Sequence, residues 1–419
     1  MAMFRTLLVL KQLQTRVRRH WVRPVWQNRA EESEYFTAMQ LMKNGDESLF
    51  HKYYRMSPEI FDMLHSMADE KLSKQWLCRD PISSGERLAL TLRYLSSGMP
   101  IPDVAMAFRI GIETAREAIH LTCQVLWDVL SPLYMKPPTE SEWRDIAAGF
   151  WHQWQFPNCL GAVDGKHVNI KRPKKSGSLY FNYKGTYSIV LMAVVDSRYQ
   201  YRLIDVGAPG RLSDGGIFKD SPIGKRLEKG KLNLPRAAQL PGSATTLPHV
   251  FIGNEAFQLR PDFMRPLPGS RTSNEEVIFN YRLSRARRCA ENAFGILASR
   301  WKIYGRTIHL QPSNADSVVK ATCILHNFLS GMSASESEYC PVGYADAEDV
   351  FGNVLEGAWR SEAPGRTGMF ELQGTKARKS SQAAASVRRN FIHFFSNEGQ
   401  VPWQWNLPGV QRPVRQQLP

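Results

Sequence analysis

The chain has 419 residues, 43% of them hydrophobic, which is ample for one large or two ordinary cores. Its 54 Lys and Arg against 39 Asp and Glu give a net charge of +15, a balance that favours an acidic partner, most simply nucleic acid. No apolar run approaches the length of a membrane span. Six cysteines at 78, 123, 159, 289, 323 and 340 form no CxxC or clustered Cys/His spacing, so a zinc module is excluded and free thiols in a reducing compartment are expected.

Residues 1–30 hold seven Lys or Arg and no acid. A transit peptide and a basic arm for nucleic acid or nuclear import share that composition, and the arm is the preferred reading. Residues 31–150 read as helical. ERLALTLRYLSSG ends in Gly98, a natural helix stop, then PIPDVAMAFRIG leads to IETAREAIHLTCQVLWDVL. Helix, turn, helix, turn and longer helix suit either a helix-turn-helix or a plain three-helix bundle. Glu113 and Glu117 beside Arg116 weigh against groove binding by the third helix.

From 156 the pattern turns to strands. CLGAVDGKHVNI, SIVLMAVVDS and YRLIDVGAPG are β-rich runs bounded by Gly, Pro and Ser, and HVFIGN is a fourth. SIVLMAVV is continuously apolar, as a strand covered on both faces would be. A short helix is expected within 216–228. Ser273 and Glu276 form a capping-box signature that opens a helix to about Lys302, with Leu283, Ala286, Ala290, Ala293, Phe294, Leu297 and Trp301 as its buried stripe. Glu291 falls on the flank of that stripe, within reach of a neighbouring sheet. A further helix spans about 312–332. Residues 333–380 read as a flexible linker, and 381–419 as a helix, stopped by Gly399, followed by an extended tail.

Two acids on separate rigid elements, Asp164 in the first strand and Glu291 on the long basic helix, suggest a divalent-metal site facing a polyanion. Magnesium takes oxygen ligands, and paired divalent ions activate a nucleophile and steady a leaving oxygen in phosphodiester chemistry. Strand alternation puts Lys166 on the same face as Asp164, where it would meet a phosphate. Each residue has a plainer reading. An Asp before Gly is often a turn residue, and Glu291 is spaced to pair with Arg287 or Arg288 on the helix surface. Arg285, Arg287 and Arg288 form either a phosphate-facing stripe or a solvated face. Lys171, Arg172, Lys174 and Lys175 (KRPKK) form either an import signal or a phosphate-contacting loop.

The stretches NCLGAVDGKHVNIKRP, SGSLYFNYKGTYSIVLMAVVD, GRLSDGGIFKDS, VFIGNEAFQLRPDFMRPLPG, NYRLSRARRCAENAFGILASRW and ATCILHNFL, in this order, resemble the PIF/Harbinger-type DDE transposases and the Harbinger transposase-derived nucleases of animals. The resemblance covers roughly residues 20–332 and, weakly, the last helix and WQW tail. It implies an α/β, ribonuclease-H-like fold: a mixed five-stranded sheet flanked by helices over 151–332, preceded by the helical region. It further implies Mg2+ or Mn2+ as cofactor, DNA as substrate, a Myb/SANT-like protein partner and a nuclear location. The family's first catalytic Asp falls on Asp164 and its Glu on Glu291. Its second Asp falls on Asn254.

Asn254 is the main departure. An amide oxygen still ligates a cation but brings no negative charge. Losing one catalytic interaction commonly costs about 10²–10³ in rate. Glu255 is the nearest substitute, but alternation places it on the opposite face from Asn254. Two functional readings follow: a metal-dependent DNA endonuclease or transposase weakened at position 254, and a non-catalytic DNA- or chromatin-binding descendant.

Overall fold

The computed structural model describes residues 22–73, 81–268, 273–332, 338–363, 368–372, 380–408 and 410. Residues 1–21 of the basic arm, Cys78 and the last nine residues of the tail lie outside them. A mixed sheet of six strands is enclosed by helices. The first part of the chain forms α1 (Ala38–Gly45), α2 (Glu47–Tyr54), α3 (Pro58–Leu72), α4 (Ser84–Ser97), α5 (Ile101–Ala107), α6 (Ile112–Tyr134) and α7 (Glu140–Trp154). Ser83 and Glu86 cap the start of α4 reciprocally. Gly98 ends it with φ +65°, and a Cβ there would meet the Lys302 carbonyl oxygen at 2.5 Å. Glycine is therefore required both by the left-handed turn and by the close approach.

The sheet grows from β1 (Cys159–Asn169), with β2 (Ser188–Val195), β3 (Tyr201–Pro209), β4 (Val250–Ile252), β5 (Phe263–Met264) and β6 (Met369–Glu371). Its order is β3-β2-β1-β4-β5. The first three strands are antiparallel, whereas β4 is parallel to β1 and β5 to β4. Every residue of β1 and β2 is buried, as the continuous apolar run implies. Along one edge β1 pairs with β2. Along the other it pairs first with β4, up to Ala162 opposite Ile252, and then with antiparallel β6, from Lys166 opposite Glu371 to Val168 opposite Met369.

Between β3 and β4 lie two short helices, α8 (Asp214–Asp220) and α9 (Pro222–Glu228), rather than one. The long helix α10 (Asn274–Arg300) begins where Ser273 Oγ accepts the Glu276 backbone N–H at 3.2 Å, and it packs across β1 and β2. α11 (Pro312–Ser330) packs against β3 and along α6. The helical first part and the sheet thus share one hydrophobic core, so residue 150 does not divide two cores. The first turn of α6 is exposed, with Arg116 paired to Glu113 at 3.0 Å.

The stretch 333–380, expected as a loose linker, is ordered where it is described. It holds a two-stranded ribbon (Ala347–Glu348 with Val354–Leu355), a helical turn (Trp359–Glu362) and β6, the sixth strand absent from the five-strand expectation. The tail is not simply extended either. Helix α12 (Gln382–Ser396) packs on α10, and a 3-10 turn at Pro402–Asn406 buries Gln404, whose Nε2 donates to the Phe395 carbonyl at 2.9 Å.

Candidate functional site

Asp164 occupies the middle of β1, where alternation sends its side chain to the face covered by α10. The carboxylate is 2% exposed, and apart from Lys166 neither oxygen has a hydrogen-bond partner. A buried, unbonded carboxylate is costly unless cations face it. Two do. Lys166 Nζ, from the same face of β1, lies 2.8 Å from Asp164 Oδ2, and the Arg287 guanidinium lies 4.0 Å from Oδ1. Lys166 also contacts Glu371 across the strand pair and stands 5.3 Å from the centre of the Phe294 ring. Burial alone would lower the Lys166 pKa, but Asp164 and Glu371 more than reverse this, so the ammonium stays charged.

Glu291 is brought to this cluster by helical geometry. It stands one turn after Arg287, which faces Asp164, and three residues before Phe294, which faces Lys166. Side chains at these spacings share one face of a helix. Glu291 is exposed, and its charge acts on Glu371. The surface ion pair weighed for Glu291 gives way to other partners: Arg287 turns to Asp164 and Arg288 to Glu348 at 2.5 Å.

Asn254 lies two residues beyond β4, whose pairing with β1 ends at Ala162 opposite Ile252. Its Oδ1 accepts the Ala256 backbone N–H at 2.9 Å, a local turn bond open to any acceptor side chain. Glu255 gives no sign of replacing it: its carbonyl accepts from Arg265 at 2.8 Å in a separate contact.

Glu371 was missed in the sequence. It enters on the same edge of β1 as Asn254, but from the opposite direction. Although much of its side chain faces solvent, partial loss of water and then the charge of Asp164 push its carboxyl pKa up, against the pull of Lys166. No periodic pattern marks a three-residue strand, so nothing in the chain pointed to it.

The basic residues divide into two sets. Lys171, Arg172, Lys174 and Lys175 are exposed just beyond the end of β1. Arg285 is not on a solvated or phosphate-facing stripe. It is buried, paired with Glu348 at 2.5 Å, and donates to the Trp154 carbonyl at 2.6 Å and to Gln155 Oε1 at 2.5 Å. Arg282, one turn before Arg285 on the helix, is fully buried. It donates to the Gly399 carbonyl at 2.8 Å, to Gln404 and to the Gln155 carbonyl, and burial lowers its pKa to about 9. These arginines bind the C-terminal segments to the core.

Asp164 and Glu371 both meet Lys166, Arg287 faces Asp164, and the charge of exposed Glu291 acts on Glu371 and on Arg360. Asp164, whose buried oxygens meet only Lys166 and Arg287, would suit a divalent cation if the Lys166 ammonium yielded, and Glu291 would be the second carboxylate from the facing helix. The residues do not fit a pair of divalent ions. Among the described residues no group of three His, Cys, Asp or Glu side chains is placed to hold a metal ion. A separate cleft of about 590 Å³, lined by Trp154, Tyr199, Arg285, Cys340 and Glu348 among others, includes neither Asp164 nor Glu291. Among the described residues no helix is long and apolar enough to cross a membrane.

The family model described as DDE superfamily endonuclease matches residues 163–327, a span that includes Asp164, Asn254 and Glu291. The chain is 27% identical to an ALP1-like protein of Arabidopsis thaliana, covering 68% of this chain and 72% of that one. It is 25% identical to the protein named antagonist of like heterochromatin protein 1, also of Arabidopsis thaliana, covering 72% and 80%. It is 23% identical to HARBI1 of Rattus norvegicus, covering 59% and 67%. No solved structure matches the chain.

Proposed function

Because the chain belongs to the Harbinger-type family of the DDE superfamily, we propose that it acts on DNA in the nucleus through a ribonuclease-H-like nuclease fold whose phosphodiester cleavage or strand transfer is weak. The sheet order, with three antiparallel strands followed by two parallel ones, supports that fold. The observation that carries the functional reading is the buried Asp164 carboxylate, met only by the cations of Lys166 and Arg287; Asn254 is read as the uncharged position that would complete its site. A divalent cation bound there would supply charge neutralisation for the phosphate and an activated water. Asp164 and Glu291 would hold it, Arg287 would keep Asp164 in place, and the exposed Lys171–Lys175 segment would carry the DNA backbone.

With Asn rather than a carboxylate at 254, the site would attract a divalent ion less strongly. Purified protein incubated with supercoiled DNA and Mn2+ is expected to nick it slowly. Vigorous nicking that disappears in Asp164→Ala would overturn the reading of weakness.

The second reading is a non-catalytic DNA- or chromatin-associated protein, with a Myb/SANT-like partner sharing the DNA contact. Lys166 seated on Asp164 favours it, because the chain supplies its own cation to the first carboxylate. The heterochromatin reference in the name of one Arabidopsis thaliana relative agrees with it.

A further inference from the structure

The segment between β1 and β2 combines two features that the carboxylate cluster does not use. From Gly165 to Val195 it contains no acid, and Lys171, Arg172, Lys174 and Lys175 are exposed. Within the same segment Leu179, Phe181 and Tyr183 are 49%, 42% and 47% exposed. Lys184 Nζ stands 5.8 Å from the centre of the Tyr183 ring, so a cation borders the exposed aromatics.

The loop is held in shape rather than draped. Asn182 is buried, and its Oδ1 accepts the backbone N–H groups of Lys184 and Thr186 at 3.0 and 3.2 Å. Its Nδ2 donates to Thr186 Oγ1 and Ser188 Oγ, both at 2.9 Å. Thr186 Oγ1 in turn donates to Asn169 Oδ1 at 2.8 Å, fastening the loop to the end of β1. Gly185 makes the tip with φ +75°. On either side of Asn182 the rings are braced. Phe181 stands 5.3 Å from Tyr187, and Tyr183 stands 5.8 Å from His167 and 6.1 Å from Phe370, with its hydroxyl donating to the Glu371 carbonyl at 3.0 Å. His167 is three residues from Asp164 on the same strand, so alternation turns its ring to the opposite face of the sheet.

We propose that Phe181 and Tyr183 are a stacking platform for unpaired DNA bases, set beside the basic KRPKK segment on the face of β1 opposite the carboxylate cluster. This rests on the DNA-directed reading above and names its substrate feature: a strand end or melted step rather than a continuous duplex. Phosphates of the strand meet Lys171, Arg172, Lys174 and Lys175, and its bases, freed from their partners, lie on the two rings. Rigid presentation means that little side-chain freedom is lost when a base stacks. Stacking of this kind is tolerant of sequence because every base has a π-face.

The test uses the full chain and two fluorescein-labelled DNAs, a blunt duplex and the same duplex with a short 3′ overhang that carries 2-aminopurine. The expected result is about tenfold tighter binding to the overhang, with 2-aminopurine emission quenched on binding. Phe181→Ala and Tyr183→Ala are expected to lose that preference while keeping blunt-duplex affinity, and Phe181→Trp to keep it. If both DNAs bind equally in a salt-sensitive way with no quenching, the platform is refuted and the DNA-directed reading stands. If neither DNA binds, both fall. The preference and quenching of the unaltered chain decide the matter even where an alanine variant folds poorly.

Discussion

Lys166 faces Glu371 directly across the antiparallel pair of β1 and β6, and its ammonium reaches back 2.8 Å to Asp164 on its own strand. The lysine therefore balances a buried carboxylate that the fold would otherwise expel. A divalent ion bound to Asp164 would have to displace the Lys166 ammonium.

Replacing Lys166 with Met leaves Asp164 buried with only Arg287 at 4.0 Å. Breaking a buried pair from one side costs about 3–5 kcal/mol, so the melting temperature should fall clearly. Mn2+ should raise the melting temperature of Lys166→Met more than that of the parent, because the cation then has Asp164 to itself. Thermal unfolding with and without Mn2+ checks both halves; identical melting of the two proteins would remove Lys166 from this role.

His326 gives a pH dependence with a definite sign. Its Nε2 lies 2.9 Å from the Tyr199 carbonyl and its Nδ1 3.1 Å from the Tyr339 hydroxyl, and burial lowers its pKa to about 4. The unfolded chain takes up the proton near pH 6.5 and the folded chain refuses it until about 4, so stability is present above that window and is lost as pH falls through it. The loss should approach roughly 3 kcal/mol. His167, lowered to about 4 by burial and then by Lys184, adds to the same slope. Urea unfolding from pH 7 to 4 should show the decline, and His326→Gln should make it shallower. A profile flat over that range would contradict the assignment.

Asn327 clamps three elements. Its Oδ1 accepts the Tyr201 N–H at 2.9 Å, and its Nδ2 donates to the carbonyls of Tyr201 at 2.7 Å and Tyr134 at 2.9 Å. Asn327→Ala orphans buried backbone groups on β3 and at the end of α6, at a cost of about 2–4 kcal/mol. Denaturant titration measures it, and a change below about 0.5 kcal/mol would show that water replaces the amide.

Neutralising Lys171, Arg172, Lys174 and Lys175 together should lower the slope of log affinity against log salt for duplex DNA by up to about 3–4, because each phosphate contact releases close to one counterion. An unchanged slope in fluorescence anisotropy would place the DNA elsewhere.

The strands and helices around the site were legible because their patterns are local. SIVLMAVV is a buried strand by composition, and the stripe from Leu283 to Trp301 is a helix face by spacing. Family motifs singled out Glu291, which stands on α10 between Arg287, facing Asp164, and Phe294, facing Lys166. What escaped were pairings between residues far apart in sequence. Arg285 and Arg288 look like a basic stripe until Glu348, some sixty positions on, returns to meet them. Glu371 lies in a polar stretch with no alternation, and its three-residue strand exists only because β4 ends and leaves that edge of β1 open. His326 and Asn327 carried a motif match but no readable role, since their partners belong to other elements.

The most direct measurement is a Mn2+ titration by calorimetry of the parent chain beside Asn254→Asp. Adding one charge at position 254 should tighten Mn2+ binding by about tenfold or more and bring measurable DNA nicking with it. Equal affinity in the two proteins, or tight parental binding that persists in Asp164→Asn, would show that the carboxylate missing at 254 is not what sets this site's strength.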